Sequence, residues 1–406
     1  APSPMAAERN IRCDVAVVGA GVVGAAVALA LAQAGRDVAV VEPRAPADFS
    51  TAQAHDLRTY AVSPASAALL GRLGAWRDVL AARACAYRTM RVWESDASDE
   101  LRFDAALIGE PQLGWIVEDA LLRHVLWQML AATSRVELVS PATVAGLARD
   151  GNATLALAEG GRISARLVVA ADGAASPLRK LAGMAASTSS YGERAIVANV
   201  RTEASHEATA WQRFTRDGPL AFLPLSNGEC SIVWSVKDAT ADALLAKDDD
   251  AFRAALGESF QHRLGAVTAT SKRAALPLRL TLAAEYCGPR FALVGDAAHA
   301  VHPLAGQGLN LGLLDAGALA ECIGGDGDPG DPAKLRDYAR WRRSENAIAA
   351  RSFDLIDGLF RSDVPGIGLL RRFGLGAVAK LAPIRREFAL HAAGFAGRVP
   401  ALSRRL

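Results

Sequence analysis

A strand–helix–strand pattern at residues 13–41 constrains the fold more than any other part of this sequence. Residues 13–18 (CDVAVV) form a short apolar run rich in valine, which is typical of a buried parallel strand. Three glycines follow, and then an alanine- and leucine-rich segment of helical length that ends before Gly35. A second apolar run occupies residues 37–41. The pattern predicts a βαβ unit, and with it an α/β fold.

The three glycines, Gly19, Gly21 and Gly24, have the G-x-G-x-x-G spacing of a nucleotide-binding turn. At such a turn Gly19 would make the tight bend, Gly21 would let a pyrophosphate approach, and Gly24 would let the helix pack on the strand. Glu42 ends the second strand, 21 residues after Gly21, where an acid can bind a ribose hydroxyl. The spacing alone is weak evidence in a chain with 36 glycines. Strand, helix, second strand and acid together favour a nucleotide site over a purely structural turn.

A second polar pattern lies far along the chain, at residues 291–315. It begins as an apolar strand, breaks at Gly295-Asp296, and runs through small residues to Gly306-Gln307-Gly308, with a helix expected from about Leu309. An aspartate just past a buried strand can hold a sugar hydroxyl. A glycine-rich helix N-terminus offers N–H groups and a positive dipole end to an anion. The two features suit a long ligand with a hydroxylated tail and an electron-rich ring, and FAD is such a ligand.

Three more polar residues each have two interpretations. Arg58 lies in a loop soon after the βαβ unit and would either face cofactor phosphates or pair with Asp56. Arg123, on a helix predicted for residues 118–132, would either reach a phosphate or point into solvent. Asp172 follows a predicted strand and would either lie beside the ligand or only cap the short helix after it.

Between Asp172 and Asp296 the sequence is β-rich at residues 191–200, 211–224 and 229–236, with turns predicted at residues 217–219 and 227–228. A strand is also expected over residues 136–148, and helices over residues 239–264 and 334–359. We therefore predict an α/β protein with a Rossmann-like FAD-binding domain, an inserted, mainly antiparallel β-sheet substrate domain, and a helical C-terminal tail. The expected boundaries are 10–75, 118–185 and 285–350 for the FAD-binding domain, 76–117 and 186–284 for the substrate domain, and 351–406 for the tail.

Composition argues against several classes of function. The net charge of +2 gives no support to nucleic-acid binding. The five cysteines are scattered without a C-x-x-C pair, so we expect reduced thiols in a cytoplasmic setting. No signal peptide is expected, and the apolar run at residues 15–34 is broken by the three glycines, which argues against a spanning helix. His299 and His302 lie in one loop without a third ligand in view, so we expect a hydrogen-bonding role and no metal.

The tail, residues 351–406, is apolar and basic. It holds nine arginines and one lysine against four acids, a net charge of +6. A basic amphipathic tail can lie on an anionic membrane surface. The alternative is a helical tail packed on the protein with its arginines in solvent.

With these residues identified, the chain resembles the flavin-dependent aromatic hydroxylases of the para-hydroxybenzoate hydroxylase superfamily, and within it the ubiquinone-biosynthesis hydroxylases. The wider resemblance is carried by the glycine turn with Glu42, by Asp172-Gly173, and by the run from Gly295-Asp296 to Asp315. Val62 and Asp119 depart from the narrower group, which commonly has Leu and Asn there. The narrower resemblance spans almost the whole chain, in short runs at residues 56–58 (DLR), 73–76 (LGAW), 92–94 (VWE), 113–118 (LGWIVE), 211–214 (WQRF), 218–225 (GPLAFLPL), 302–310 (HPLAGQGLN) and 394–400.

The resemblance implies roles for the polar residues. Glu42 would hold the adenosine ribose of FAD, and the three glycines would line its pyrophosphate. Arg58 and Arg123 would contact the phosphates or groups near them, Asp296 would bind the ribityl chain, and Asp172 would lie near the FAD backbone or the nicotinamide path. The turn into the predicted helix would frame the flavin ring, with N–H groups at the edge where the reduced ring gathers negative charge. Its residues are Pro303, Gly306, Gly308, Leu309 and Asn310.

The resemblance also implies a reaction. NAD(P)H would reduce FAD, and dioxygen would then give a flavin hydroperoxide that passes one oxygen atom to an activated phenol ring. No acid–base pair is required, so no catalytic side chain is predicted. The protein would hold the ring over the flavin and exclude water. The inserted sheet would roof the substrate with Phe222, Leu223 and Pro224.

The expected substrate is a polyprenylphenol intermediate of ubiquinone biosynthesis, because a basic apolar tail suits a substrate held in a membrane. The expected location is the cytoplasm, with peripheral contact at the inner membrane face, and other quinone-biosynthesis proteins are candidate partners. Two alternatives stay open. One is another flavoenzyme on this fold, such as a hydroxylase of a soluble phenol or a reductase of polyprenyl chains. The other is a flavin-bearing, non-catalytic subunit of a quinone-biosynthesis complex.

Overall fold

A computed structural model gives the fold and describes residues 10–94, 100–300, 307–361 and 381–405. Strands β1 (Asn10–Val18) and β2 (Val38–Val41) pair in parallel, and helix α1 (Val22–Gln33) joins them. The predicted βαβ unit is confirmed. Nearly all of α1 is buried, because it lies between the sheet and neighbouring helices, which explains its alanine-rich, uniformly apolar sequence.

The βαβ unit forms the centre of an eight-stranded sheet. Five strands of this sheet pair in parallel with their neighbours, in the order β8 (Val136–Val139), β2, β1, β11 (Arg162–Ala170) and β19 (Phe291–Leu293). The carboxyl ends of these strands therefore reach the same edge of the sheet. In spatial order the strands are β18 (Cys287–Gly288), β19 (Phe291–Leu293), β11 (Arg162–Ala170), β1, β2 and β8 (Val136–Val139), with β10 (Ala153–Leu157) paired to β11 and β9 (Val144–Ala148) paired to β10.

A nine-stranded sheet is built mainly from the chain between β11 and β19. Its strands pair antiparallel, except for β13 (Thr209–Phe214) and β5 (Thr89–Trp93), which pair in parallel. This confirms the predicted insertion of a mainly antiparallel sheet into an α/β fold. Its strands in spatial order are β20 (His299–Ala300), β17 (Ala274–Ala283), β12 (Ala186–Thr202), β15 (Cys230–Lys237), β14 (Pro219–Pro224), β13 (Thr209–Phe214), β5 (Thr89–Trp93) and β6 (Leu101–Asp104), with β16 (Val267–Thr270) paired to β12.

A small three-stranded sheet packs against both larger sheets. Its strands are β3 (Thr59–Val62), β7 (Gly114–Glu118) and β4 (Cys85–Tyr87). Short 3-10 turns occur at Ala105–Ile108, Gly295–Ala297 and Ala401–Ser403. The remaining described helices are α2 (Pro64–Leu73), α3 (Trp76–Ala82), α4 (Asp119–Ala132), α5 (Pro177–Leu181), α6 (Asp238–Leu245), α7 (Asp249–Ser259), α8 (Gln307–Ile323), α9 (Pro332–Arg361) and α10 (Ala382–Ala392).

Two expected elements are divided in the structure. The strand expected over residues 136–148 becomes β8 and β9, because the pairing of β8 with β2 ends at Val139 and Pro141 has no N–H group to continue a strand ladder. The helix expected over residues 239–264 becomes α6 and α7, because the Asp248 side chain accepts a hydrogen bond from Ala251 N at 2.7 Å and starts a new helix. Local capping and a proline decide the two breaks.

Candidate functional site

Four predicted site residues or turns meet at one edge of the eight-stranded sheet. The glycine turn follows β1, Glu42 follows β2, Asp172 follows β11, and Asp296 follows β19. Because these strands run parallel, residues that are up to 277 positions apart in the chain lie at the same edge.

The three glycines of the turn differ in how much space surrounds them. Gly19 has φ of +99°, and a Cβ there would lie 2.4 Å from the carbonyl oxygen of Ala171. A Cβ on Gly24 would lie 1.9 Å from the carbonyl oxygen of Gly19. A Cβ on Gly21 would meet no atom within 4 Å in the part of the chain that the structure describes. Gly19 and Gly24 are therefore required by the protein's own packing, whereas Gly21 borders open space at the N-terminus of α1.

Glu42 is tied to this turn. Its Oε2 accepts a hydrogen bond from Ala20 N at 2.6 Å, and its Oε1 accepts one from Arg44 N at 3.3 Å. An ionised carboxylate has about four acceptor positions, so both oxygens can still accept from a hydroxyl group. The acid at the end of β2 thus both orders the turn and stays available to a ligand.

Asp296 lies in the 3-10 turn directly after β19. Gly295 before it has φ of +56°, and the turn is pressed onto α8 at Gly312, where a Cβ would lie 3.2 Å from the Gly295 Cα. The Asp296 carboxyl reaches solvent, but protein surrounds it on most sides, and this loss of solvation raises its pKa. The charges of His299 and Arg58 oppose the rise.

Arg58 is held beside this carboxyl by an aromatic ring. Its guanidinium carbon lies 5.5 Å from the centre of the Tyr60 ring, and Tyr60 OH donates to Asp119 Oδ1 at 3.0 Å. Its pKa is raised by Tyr60, Asp119 and Asp296. Asp56, the alternative partner, accepts from the backbone N–H of Arg58 at 3.1 Å and thereby shapes the loop. Sequence reasoning missed Tyr60, whose role depends on the cross-strand placement of Asp119.

Arg123 and Asp172 differ in how far protein contacts satisfy them. Within the described part of the chain, the buried Nε of Arg123 has no hydrogen-bond partner. Asp172, by contrast, accepts from Ser176 Oγ at 2.5 Å and from Leu178 N at 2.9 Å. Asp172 thus binds an N–H group in the first turn of α5, whose N-cap residue is Ser176. Among the described residues, Arg123 Nε has no acceptor.

The start of α8 supplies the remaining described site residues. A Cβ on Gly308 would meet no atom of the described residues within 4 Å, and Leu309 is buried. Asn310 is buried, accepts from Ser63 N at 2.9 Å and donates to the carbonyl oxygen of Ala61 at 2.8 Å. Its side chain therefore anchors α8 to β3. Pro303, Gly306 and His302 lie outside the described residues.

A buried polar network under the Asp296 turn was not predicted as a unit. Asp315 Oδ2 accepts from Gly295 N at 3.0 Å and lies 2.5 Å from His299 Nε2. Its Oδ1 accepts from Arg342 Nε at 2.7 Å and Asn346 Nδ2 at 3.0 Å. Burial would raise the pKa of Asp315, but His299 and Arg342 lower it to about 2. The hydrogen-bonding role predicted for His299 is confirmed.

A second buried ion pair orders the loop before Arg58. Arg83 donates to Glu118 through Nε at 2.6 Å and Nη2 at 2.8 Å, and its Nη1 donates to the carbonyl oxygen of Gln53 at 2.6 Å. Glu118 also accepts from Asp56 N at 2.6 Å. Neither residue stands out in the sequence, because the pair joins segments 35 residues apart.

The three predicted roof residues face different surroundings. Phe222 is fully buried and stacks on Phe260, with ring centres 3.7 Å apart, inside the core between the nine-stranded sheet and α7. Leu223, on the opposite face of β14, packs with Ala61 and Ile116 of the small sheet. Pro224 is buried at the end of β14. Of the three roof residues, Leu223 therefore faces the small sheet, whose strand β3 begins directly after Arg58.

Two further properties bear on the site. Over the described residues, no three His, Cys, Asp or Glu side chains are grouped as a metal site requires. No helix in those same ranges is long and apolar enough to cross a membrane.

The chain is similar in sequence to known FAD-binding proteins. A family model described as an FAD binding domain matches residues 12–348. The chain is 37% identical over 390 residues to the 3-demethoxyubiquinol 3-hydroxylase of Escherichia coli K12, covering 95% of this chain and 99% of that protein. It is 36% identical over 399 residues to the ubiquinone hydroxylase UbiL of Rhodospirillum rubrum, covering 97% and 92% respectively.

A solved structure agrees with the fold. The crystal structure of p-nitrophenol 4-monooxygenase PnpA from Pseudomonas putida DLL-E4 superposes with a TM-score of 0.76 at 22% identity, covering 96% of this chain and 99% of that one. The resemblance predicted from the sequence is confirmed. The chain is an FAD-dependent monooxygenase of the FAD-binding-domain family, within the group of ubiquinone-biosynthesis hydroxylases.

Proposed function

We propose that this protein hydroxylates the aromatic ring of a polyprenylphenol intermediate of ubiquinone biosynthesis, with FAD, dioxygen and NAD(P)H as the reductant. The observation that carries the proposal is the 37% identity to a demethoxyubiquinol hydroxylase over 95% of this chain. Other quinone-biosynthesis proteins are proposed partners on the same grounds.

The residues at the sheet edge fit FAD. Open space at Gly21, beside the N-terminus of α1, leaves room for a pyrophosphate against backbone N–H groups. The buried Nε of Arg123, which has no partner among the described residues, is a donor that an anionic group would satisfy. Both features point to a phosphate-bearing ligand, since buried donors are rarely left unused.

The resemblance to the family supports a proposed role for each of these side chains. Glu42 would accept from the adenosine ribose, and Arg58 and Arg123 would neutralise the phosphates. Asp296 would accept from the ribityl hydroxyls, most strongly when its carboxylate is ionised, and the nearby charges of Arg58 and His299 favour that form. Asp172 would act through α5, whose first turn it binds. The N–H groups at Gly308 and Leu309 would face the pyrimidine edge, and Pro303 and Gly306 keep their proposed roles at the ring.

When bound, FAD supplies the two-electron chemistry and the activation of dioxygen that no side chain here can supply. The chain's own task is to orient the phenol and exclude water. Leu223, Ala61 and Ile116 form an apolar cluster with Tyr87 and Leu225, next to the loop that carries Arg58. Ala61, Ile116 and Leu225 are buried in this cluster, and Leu223, which is half-exposed, would cover an aromatic ring and limit the release of hydrogen peroxide.

The domain division remains part of the proposal. Strands β5 and β6 join the nine-stranded sheet, in keeping with a substrate domain that includes residues 89–104. Helix α3 contributes Val79 to the core of the eight-stranded sheet, and β4 belongs to the small sheet. We therefore propose residues 76–88 and 105–117 as the joint between the FAD-binding domain and the substrate domain.

The tail is proposed to lie on an anionic membrane surface. Helix α10 packs through Ala389 and Ala393 against Ile108, while Leu381, Ile384 and Phe388 stand 48%, 39% and 47% exposed. These three residues recur at helical spacing, so the exposed side of α10 is apolar, while Arg386 lies on another side of the same helix. The arrangement suits a protein whose substrate carries a polyprenyl chain.

The test is a comparison of quinone intermediates, measured by mass spectrometry, in cells that lack the gene and in cells that regain it. We expect one polyprenylphenol lacking a single hydroxyl group to accumulate without the gene and to disappear when it returns. Asp296→Ala should fail to restore hydroxylation, whereas Asp150→Ala, on the exposed turn between β9 and β10, should restore it. An unchanged quinone pool would move the substrate to another phenol.

A further inference from the structure

Asp315 connects the Asp296 turn to helix α9, two parts of the chain that share no sequence motif. Each carboxylate oxygen has two neighbours. Oδ2 faces Gly295 N at 3.0 Å and His299 Nε2 at 2.5 Å. Oδ1 faces Arg342 Nε at 2.7 Å and Asn346 Nδ2 at 3.0 Å. One side of the carboxylate therefore holds the turn, and the other is held by α9.

We propose that Arg342 and Asn346 are positioning residues for the flavin-binding turn, which they hold in place through Asp315. The proposal rests on the proposed contact between Asp296 and FAD. Neither side chain needs to touch the cofactor. Their effect reaches it through Gly295, the residue directly before Asp296.

Burial makes this support necessary. Asp315, His299 and Asn346 are 0% exposed and Arg342 is 1% exposed. A carboxylate in such surroundings stays ionised only if it is paired and fully hydrogen-bonded. Arg342 is the permanent cation of the network, and its Nη2 donates to Asn346 Oδ1 at 2.8 Å, so the two helix residues brace each other. Without Arg342 the carboxylate would gain a proton or turn to its remaining donors, and Gly295 N would lose a fixed acceptor.

His299 is also connected to α9 through Tyr286. The ring of His299 stacks on Tyr286 with centres 5.9 Å apart, and Asn346 Nδ2 lies 3.4 Å from Tyr286 OH. Gly295 itself has φ of +56°, a left-handed conformation that glycine adopts readily. The turn is thus held through Gly295 and through His299, and Asn346 contributes to both.

The experiment measures the dissociation constant of FAD from the full-length apoprotein by flavin fluorescence, together with the visible absorption of the bound flavin. Arg342→Met keeps most of the side-chain volume and removes the charge and donors. We expect it to weaken FAD binding roughly tenfold and to shift the flavin bands. Tyr338→Phe is the matched control. Tyr338 is equally buried on α9, and its OH donates to the carbonyl oxygen of Leu293 at 2.7 Å rather than to Asp315. It should leave both readouts near wild type.

A double-substitution cycle identifies the route. If Arg342 acts through Asp315, then Arg342→Met should have little further effect on FAD affinity in an Asp315→Asn background. Asn346→Ala removes one donor and no charge, so it provides the same cycle if Arg342→Met fails to fold. Equal losses in Tyr338→Phe and Arg342→Met, or additive effects in the cycle, would overturn the inference.

These measurements use no phenol and so do not depend on the identity of the substrate. Asp296→Ala is titrated in parallel. If it binds FAD as wild type does, the Asp296 contact fails and this inference fails with it. If Asp296→Ala loses FAD while Arg342→Met and Asn346→Ala keep wild-type affinity, only the positioning role is lost.

Discussion

The backbone nitrogen of Ala20 lies 2.6 Å from Oε2 of Glu42, so the acid that ends β2 is bonded to the glycine turn that ends β1. Removing this acid should loosen the turn and delete an acceptor for the ribose. Because a hydrogen bond to a charged group contributes about 1.5–3 kcal/mol, we expect Glu42→Ala to weaken FAD binding by roughly 10- to 100-fold. Titration of the apoprotein with FAD measures this. Glu137→Ala, an exposed glutamate on neighbouring β8, should have no effect, and equal affinities for the two variants would contradict the assignment.

Alanine substitutions at two glycines of the turn should separate packing from ligand binding. Gly24→Ala places a methyl group 1.9 Å from the Gly19 carbonyl oxygen and should lower the melting temperature of the apoprotein or prevent folding. Gly21→Ala meets no atom of the described residues within 4 Å, and φ there is −63°, so the apoprotein should melt as wild type does. The added methyl group should still obstruct the pyrophosphate and weaken FAD binding. A destabilised Gly21→Ala apoprotein would argue against open space at this position.

Asp315 should contribute an acid-sensitive part of the stability. Its pKa falls from the ordinary 3.8 to about 2 in the folded chain, so the folded state holds this proton less tightly than the unfolded state does. The stabilisation is therefore complete above about pH 4 and is lost as the pH falls towards 2, with a total of about 2 kcal/mol. Urea unfolding of wild type and Asp315→Asn between pH 2 and 6 tests this. The variant should be less stable at pH 6 and should lose less stability towards pH 2. Parallel curves would contradict the prediction.

Phe222 and Leu223 should give opposite phenotypes although they are adjacent. Phe222→Ala removes the ring stacked on Phe260 and should destabilise the protein by about 3–5 kcal/mol. Leu223→Ala, on the partly exposed face, should cost less stability. It should instead lower the yield of hydroxylated product for each NAD(P)H consumed and raise hydrogen peroxide. Thermal unfolding and peroxide assays measure the two effects. If Leu223→Ala stays fully coupled, the apolar cluster does not cover the substrate.

The exposed side of α10 should bind anionic membranes. Ile384→Ser together with Phe388→Ser should reduce flotation with vesicles that contain phosphatidylglycerol, because it removes apolar area from that side. Added salt should weaken the binding of the wild-type protein, since the arginines would act through screened charges. Leu276→Ser is a matched control, because Leu276 is 45% exposed on β17. Equal flotation of all three proteins would remove the membrane proposal.

Local sequence patterns were sufficient to predict the strands, turns and helices around the edge of the eight-stranded sheet where the proposed FAD site lies. Ser63, Pro64 and Gly74 mark the ends of α2 through capping, a fixed proline φ and a left-handed glycine at +97°. The glycine turn, Glu42 and Asp296 follow buried strands, and parallel pairing then brings them to one edge.

The parts that the sequence did not reveal depend on distant partners. Arg342 and Asn346 belong to an ordinary amphipathic helix until Asp315 lies beside them. Whether Phe222 or Leu223 faces the site depends on strand register, and a shift of one residue exchanges the two faces. Pro141, which has no backbone N–H group, divides an apolar run that otherwise suggests one strand.

The order of strands in the eight-stranded sheet determines when the sheet can be completed during synthesis. β11 pairs with β1 along one edge, placing Arg162 opposite Asn10. On its other edge, residues 162–165 pair with β10, which is made earlier, but Val168–Ala170 pair with β19, which is made only after the whole insertion. At typical translation rates of about 5–20 residues per second, β19 follows β11 by on the order of ten seconds. During this time the edge of β11 at Val168–Ala170 lacks the strand that pairs with it in the folded protein, whereas strands β12 to β17 can pair with one another as they are made. An unpaired apolar edge is a template for association with other chains. The nascent protein should therefore depend on a chaperone most strongly while the insertion is being translated.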